Sequence, residues 1–75
     1  MITAHQCRAA RAWLDWKLDD LAEKSAISKG TLNSFERGLR VPHDRTLRDI
    51  ALAFEEAGIG LLFDGPRGVG LRLTQ

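Results

Sequence analysis

The sequence predicts a mainly α fold: four short helices followed by a C-terminal β-hairpin. Three observations carry that expectation. Up to Gly58, apolar side chains recur at the three- and four-residue spacing of amphipathic helices. Glycines, a proline and hydroxyl caps cut that pattern into four pieces. From Ile59 onward the pattern changes to the alternation of strands, Ile59-Gly-Leu-Leu-Phe63 and Val69-Gly-Leu-Arg-Leu73.

The first helix is expected over Thr3–Leu14. Thr3 and Gln6 have the capping-box spacing, in which each side chain serves the other residue's free backbone N–H. Ile2 stands just outside that cap. Cys7, Ala10 and Leu14 share one face, with Trp13 beside it, and His5 is an exposed residue at the helix start. Asp15, Trp16 and Lys17 form a corner, where Trp16 covers the core. The second helix reads Leu18–Ser25, with Leu21 and Ala22 inward. Asp19 and Asp20 suit its positive N-terminus. Ile27 follows as a plug. Ser28 then caps a third helix that runs from Lys29 to about Arg37, with Leu32 and Phe35 inward and Thr31 half-buried. Gly38 stops it, because glycine enters the left-handed region without steric cost. Two helices joined by so few residues must cross steeply, which is the geometry of a helix-turn-helix. Leu39–His43 is a loop, and Pro42 disfavours helix at Val41. The fourth helix is expected over Asp44–Ala57, capped by Asp44 or His43. Leu47, Ile50, Ala51 and Phe54 close the core, and Gly58 ends the helix.

In the tail, Ile59, Leu61 and Phe63 are expected to share a face with Val69, Leu71 and Leu73 across a five-residue loop, Asp64–Gly68. An isolated hairpin is marginal in water, so this one must dock on its own helices or pair with a second copy. Pairing across a two-fold, as a four-stranded sheet in a homodimer, is the favoured expectation. The chain then divides into residues 1–58, the helical domain, and 59–75, the dimerisation hairpin.

Composition narrows the function. Seventy-five residues make one domain. A single cysteine, Cys7, permits neither an internal disulfide nor a zinc cluster, which suits a reducing cytoplasm. No apolar run approaches the roughly 18 residues of a membrane span, and the start lacks a signal-peptide pattern. No membrane role is therefore expected. The net charge of +1 hides an asymmetry. Residues 24–48 carry six basic side chains against two acidic ones, a net of +4, and the remainder nets −3. A positive field on the third helix and its loop attracts a polyanion. Leu32 and Phe35 face inward, so Lys29, Gly30, Asn33, Ser34 and Arg37 face out. Lysine donates to guanine O6 or N7, and asparagine pairs with adenine N6 and N7. Ser28, Thr31 and the helix start suit a phosphate. No paired carboxylates, Cys–His pair or phosphate-binding glycine loop stands out, so neither an enzyme nor a cofactor or metal is expected. Gly65, Gly68 and Gly70 follow a strand but precede no helix, so they fail the context of a nucleotide fingerprint.

The stretch L-A-x-x-x-A-I-S-x-x-T-L-x-x-F-E-x-G, Leu21 to Gly38, resembles the lambda-repressor-like (Xre/Cro) helix-turn-helix family, and the resemblance covers about residues 2–57. It implies a bacterial-type transcription regulator that binds double-stranded DNA in the cytoplasm, at the nucleoid. By position, Lys29, Gly30, Asn33 and Ser34 match the family's base-facing sites. The loop after the third helix would lie along the DNA backbone, bringing Arg37, Arg40 and Arg45 to it, with Arg40 the candidate for the minor groove. Arg11 and Glu36 match a structural ion pair between the first and third helices. Three positions depart from the pattern. Lys17 stands where the family has Ser or Thr, and Leu18 where it has a phosphate-binding Gln. Lys17 is then the candidate replacement contact. Ala26 stands where glycine is preferred in the turn. The acidic start of the second helix keeps a second reading open: a protein-interaction module such as an antitoxin or anti-activator.

Overall fold

The computed structural model describes residues 1–74; Gln75, the last residue of the expected hairpin unit, lies outside the described residues. Four helices are followed by two strands: α1 (Ala4–Leu14), α2 (Leu18–Ser25), α3 (Lys29–Glu36), α4 (Asp44–Glu56), β1 (Ile59–Asp64) and β2 (Arg67–Leu73). The helical boundaries agree with the sequence pattern to within a residue at each end. Thr3 is the cap of α1 and not its first residue: its hydroxyl accepts from Gln6 N–H at 3.2 Å, and Gln6 Oε1 accepts from Thr3 N–H at 3.0 Å. Ser28 caps α3 by accepting from Thr31 N–H at 3.2 Å. His43, not Asp44, occupies the cap position of α4, without a side-chain hydrogen bond.

Two backbone turns set the helix angles. Asp15 ends α1 in the left-handed region at φ 57°, and Ala26 ends α2 at φ 60°. Asp15 suits that conformation, because a short polar side chain tolerates it, whereas alanine carries a Cβ clash. Gly38, at φ 74°, closes α3, with Leu39 N–H returning to Ser34 O at 2.9 Å.

The core gathers one inward stripe from every helix: Cys7 and Ala10, Leu21, Leu32 and Phe35, then Leu47, Ile50 and Phe54. Ile2 and Ile59 seal its ends. Trp16 stacks on Phe54 with ring centroids 5.7 Å apart, so the corner before α2 is pinned to α4. Trp13 differs from the amphipathic reading: it is 65% exposed, beside the C-terminal strands.

The tail is an antiparallel hairpin, with two departures from expectation. Its connection is two residues, Gly65-Pro66, where a five-residue loop was expected. Gly65, at φ 59°, takes the first central position, where a type II′ turn needs a positive φ. The ladder therefore continues through Asp64, which pairs with Arg67. The second departure is a β-bulge. Leu62 opposes Gly70 but Phe63 opposes Gly68, so Val69 is an extra residue with no partner across the ladder. Ile59 pairs with Leu73 and Leu61 with Leu71, so these four keep the expected common face. The hairpin docks on its own chain, β2 against α1 and β1 against α4. Ile59 is 1% exposed within the core.

Gln6 holds this docking in place. Its side chain is buried, and Nε2 donates to Leu62 O at 2.8 Å and to Gly70 O at 3.1 Å, the two residues facing each other at the bulge. The same side chain closes the α1 capping box. Sequence reasoning saw only the capping role, because the second one depends on where the hairpin lands. The signal was Gly68: a Cβ there would collide with the Gln6 amide and sit 2.8 Å from Thr3 Cγ2.

Candidate nucleic-acid interface

The site is built on α3 and the segments at its two ends. Burial of Leu32 and Phe35 turns the opposite side of α3 outward, with Lys29, Gly30, Asn33 and Arg37 exposed and Ser34 half-buried. Gly30 is open on its outer side, where a Cβ would meet nothing within 4 Å.

The rigidity of that face comes from behind it. Glu36, the last residue of α3, is only 5% exposed. Arg11 meets it with both branches of its guanidinium: Nη2 donates to Oε1 at 2.7 Å and Nε to Oε2 at 2.8 Å. Arg11 Nη1 also donates to Trp16 O at 2.9 Å, so one side chain joins α1, the corner before α2 and the end of α3. Cys7 Sγ donates to Glu36 Oε2 at 3.1 Å, and Arg8 donates to the Glu36 carbonyl. Burial alone pushes the Glu36 pKa up. The hydrogen bonds from Arg11 and Cys7 and the nearby guanidiniums outweigh it and hold the carboxyl below its ordinary 4.5. The hydrogen bond to Glu36 in turn raises Arg11. Burial, then the adjacent carboxylate, push the Cys7 thiol far up, so it stays protonated as a donor. Cys7 is a buried member of this cluster and has no nucleophilic character.

Beyond α3, Thr31, Arg40, Val41, Pro42, His43 and Thr46 line one shallow pocket. The fold thus places the start of α3, the loop and the first turn of α4 together. Thr46 is an addition that the sequence reading missed, since nothing in its spacing links it to Thr31. Ser28 donates to Thr31 Oγ1 at 2.9 Å. The Ser28 hydroxyl is thereby engaged within the α3 cap, while Thr31 keeps its own proton to donate. Arg45 is exposed at the start of α4.

The start of α2 is different in kind. Asp20 Oδ2 accepts from Lys17 N–H at 2.8 Å, so a carboxylate occupies the helix end that an anion would otherwise seek. Asp19 Oδ1 lies 2.9 Å from Lys29 Nζ. Lys29 is therefore not a free cation in this structure, contrary to the simple picture of an unpaired lysine on α3. Lys17 is exposed at the same corner. Of the hairpin residues expected at a dimer contact, Phe63, Val69 and Leu73 are exposed, Leu61 and Leu71 are half-buried against the core, and Ile59 is enclosed. Leu62, not singled out from the sequence, is exposed as well. Among the described residues no group of three or more His, Cys, Asp or Glu is placed to hold a metal ion, and no helix is long and apolar enough to cross a membrane.

An α2–α3 pair joined by three residues, with an outward α3 face braced from behind by the Arg11–Glu36 ion pair, defines a helix-turn-helix domain. Residues 8–57 match the helix-turn-helix family HTH_3, and the chain belongs to that lambda-repressor-like family. It is also similar to uncharacterised HTH-type transcriptional regulators of Mycobacterium bovis and Mycobacterium tuberculosis, at 41% identity over 54 residues. The match covers 72% of this chain and 19% of each relative, so the chain spans about a fifth of their length.

Proposed function

We propose that this domain binds double-stranded DNA sequence-specifically and regulates transcription, most simply as a repressor that occludes a promoter. The observation that carries the reading is the exposed polar face of α3 on a helix-turn-helix. Eight residues of helix span about 12 Å, a length that fits along a major groove. In this reading Asn33 pairs with adenine, Lys29 donates to guanine, Ser34 takes either type of base edge, and Gly30 lets the backbone come close. Thr31, Arg37, Arg40 and Arg45 hold phosphates, with Lys17 at the other corner. Thr46 joins Thr31 and Arg40 at one phosphate. Ser28 contributes through the cap it builds. The regulatory role agrees with the names of the mycobacterial relatives.

The domain acts as a homodimer through the hairpin. Its exposed Leu62, Phe63, Val69 and Leu73 support this, and two copies would place two α3 helices on successive major-groove faces about 34 Å apart. One observation favours a second reading, binding of a partner protein as an antitoxin or anti-activator: the acidic start of α2, where Asp20 fills the place of an anion.

Fluorescence anisotropy against duplexes selected from a random pool, with a scrambled control and a salt series, separates the two. The DNA reading expects a preference that weakens steeply with salt. Asn33→Ala should erase the preference, and Arg40→Ala should weaken both duplexes alike. Failure to bind any duplex at low salt would leave the protein-interaction module.

A further inference from the structure

We infer that Asp19 is a positioning residue for base recognition and acts through Lys29. The inference rests on the assignment of Lys29 to a base. Asp19 is the second residue of α2 and Lys29 the first residue of α3, so their 2.9 Å contact joins the starts of the two helices. Helix stability does not explain a lysine there. The N-terminus of a helix is its positive end, and α3 has no acidic residue in its first turn. The compensating charge comes from α2 instead. Asp20 is committed to the Lys17 backbone N–H, which leaves Asp19 as the carboxylate that meets Lys29.

The chemistry of the pair suits readout. A lysine ammonium on a flexible four-carbon stem is a poor reader, because it points in many directions. Anchored by one N–H to Asp19, it keeps two donors, the number that guanine O6 and N7 accept. The same carboxylate repels phosphates at large. Asp19 should therefore lower affinity for arbitrary DNA and raise discrimination, two effects of opposite sign. The pair is 59% and 69% exposed, so it contributes little to folding. Its influence belongs to the bound state, where the groove excludes water.

The test is the anisotropy titration with Asp19→Asn, Lys29→Ala and the double variant, on a duplex selected by the unaltered protein and on a scrambled one. Thermal melting of each variant checks the fold. Asp19→Asn should bind the scrambled duplex more tightly and yet lose about tenfold of its preference for the selected one. The double variant should show the same preference as Lys29→Ala alone. An equal rise on both duplexes, with the preference intact, would make Asp19 a general repulsive charge and overturn the inference. Losses that add in the double variant would overturn it too. Absence of any preference in the unaltered protein is a distinct result, which removes the DNA reading and this inference together.

Discussion

At the scale of single residues, Glu36 shows how a buried charge is made tolerable. Its carboxylate takes two N–H donors from Arg11 and one S–H from Cys7, so its oxygens are satisfied despite the burial. Removing one member of such a pair strands the other. Glu36→Gln, which keeps the shape and loses the charge, should cost about 2 kcal/mol and lower the melting temperature by roughly 10 °C, as differential scanning calorimetry would read. The pH dependence has a definite sign. The folded pKa of Glu36 lies below 4.5, so the unfolded chain takes up the proton first. The stability contributed by Glu36 is present above about pH 4.5 and is lost as the pH falls through the depressed folded value. Melting curves at pH 6 and pH 3.5 should therefore converge for Glu36→Gln and separate further for the unaltered protein. Ala26 is the opposite case, a residue at odds with its backbone. At φ 60° its Cβ is strained, and Ala26→Gly relieves the strain while adding freedom to the unfolded chain. The net expectation is a gain of about 0.5 kcal/mol, read as a rise of a few degrees in melting temperature.

At the scale of elements, the hairpin depends on an apolar anchor and one polar side chain. A two-stranded sheet does not hold alone in water. Here Ile59 supplies the apolar anchor, and Gln6 satisfies the carbonyls of Leu62 and Gly70. Gly68 leaves the space in which the Gln6 amide sits. Gly68→Ala should push Gln6 out of that seat at a cost of about 1–3 kcal/mol. Native-state hydrogen exchange would distinguish local from global loss: amides of β1 and β2 should lose protection while those of α3 and α4 keep theirs. Equal loss in all elements would mean that the hairpin is not a separate docking unit.

At the scale of the whole molecule, the distribution of charge and of apolar surface assigns two faces. Of the six basic side chains of residues 24–48, Lys29, Arg37, Arg40, Arg45 and Arg48 lie on α3, the loop after it and α4, whereas Lys24 lies on α2. The exposed Leu62, Phe63, Val69 and Leu73 lie on the hairpin, and Trp13 stands beside it. Size-exclusion chromatography with light scattering at tens of micromolar should give a dimer. Phe63→Lys, placed on an already exposed position, should shift it to a monomer without lowering the helical circular dichroism. A monomer for the unaltered protein would argue that the apolar tail serves another partner.

Much was determined by local chemistry alone, and such features can be read along the chain. The caps at Thr3 and Ser28, the stop at Gly38, the inward stripes of α3 and α4 and the change to strand alternation at Ile59 each depend on neighbours within a few residues. The Arg11–Glu36 pair was legible only through family resemblance, since no spacing along one helix links the two. Tertiary structure decided the rest, because it brings together residues that the sequence keeps far apart. Gln6 became the hairpin's anchor only when Leu62 and Gly70 arrived above α1. The bulge left Val69 without a partner across the ladder, although strict alternation had given it a place in the register. Thr46 joined Thr31 and Arg40 because the loop folds the start of α4 back toward α3. Lys29 acquired Asp19 as a partner because two helix starts meet, and opposite charges at that distance pair whatever their order in the chain.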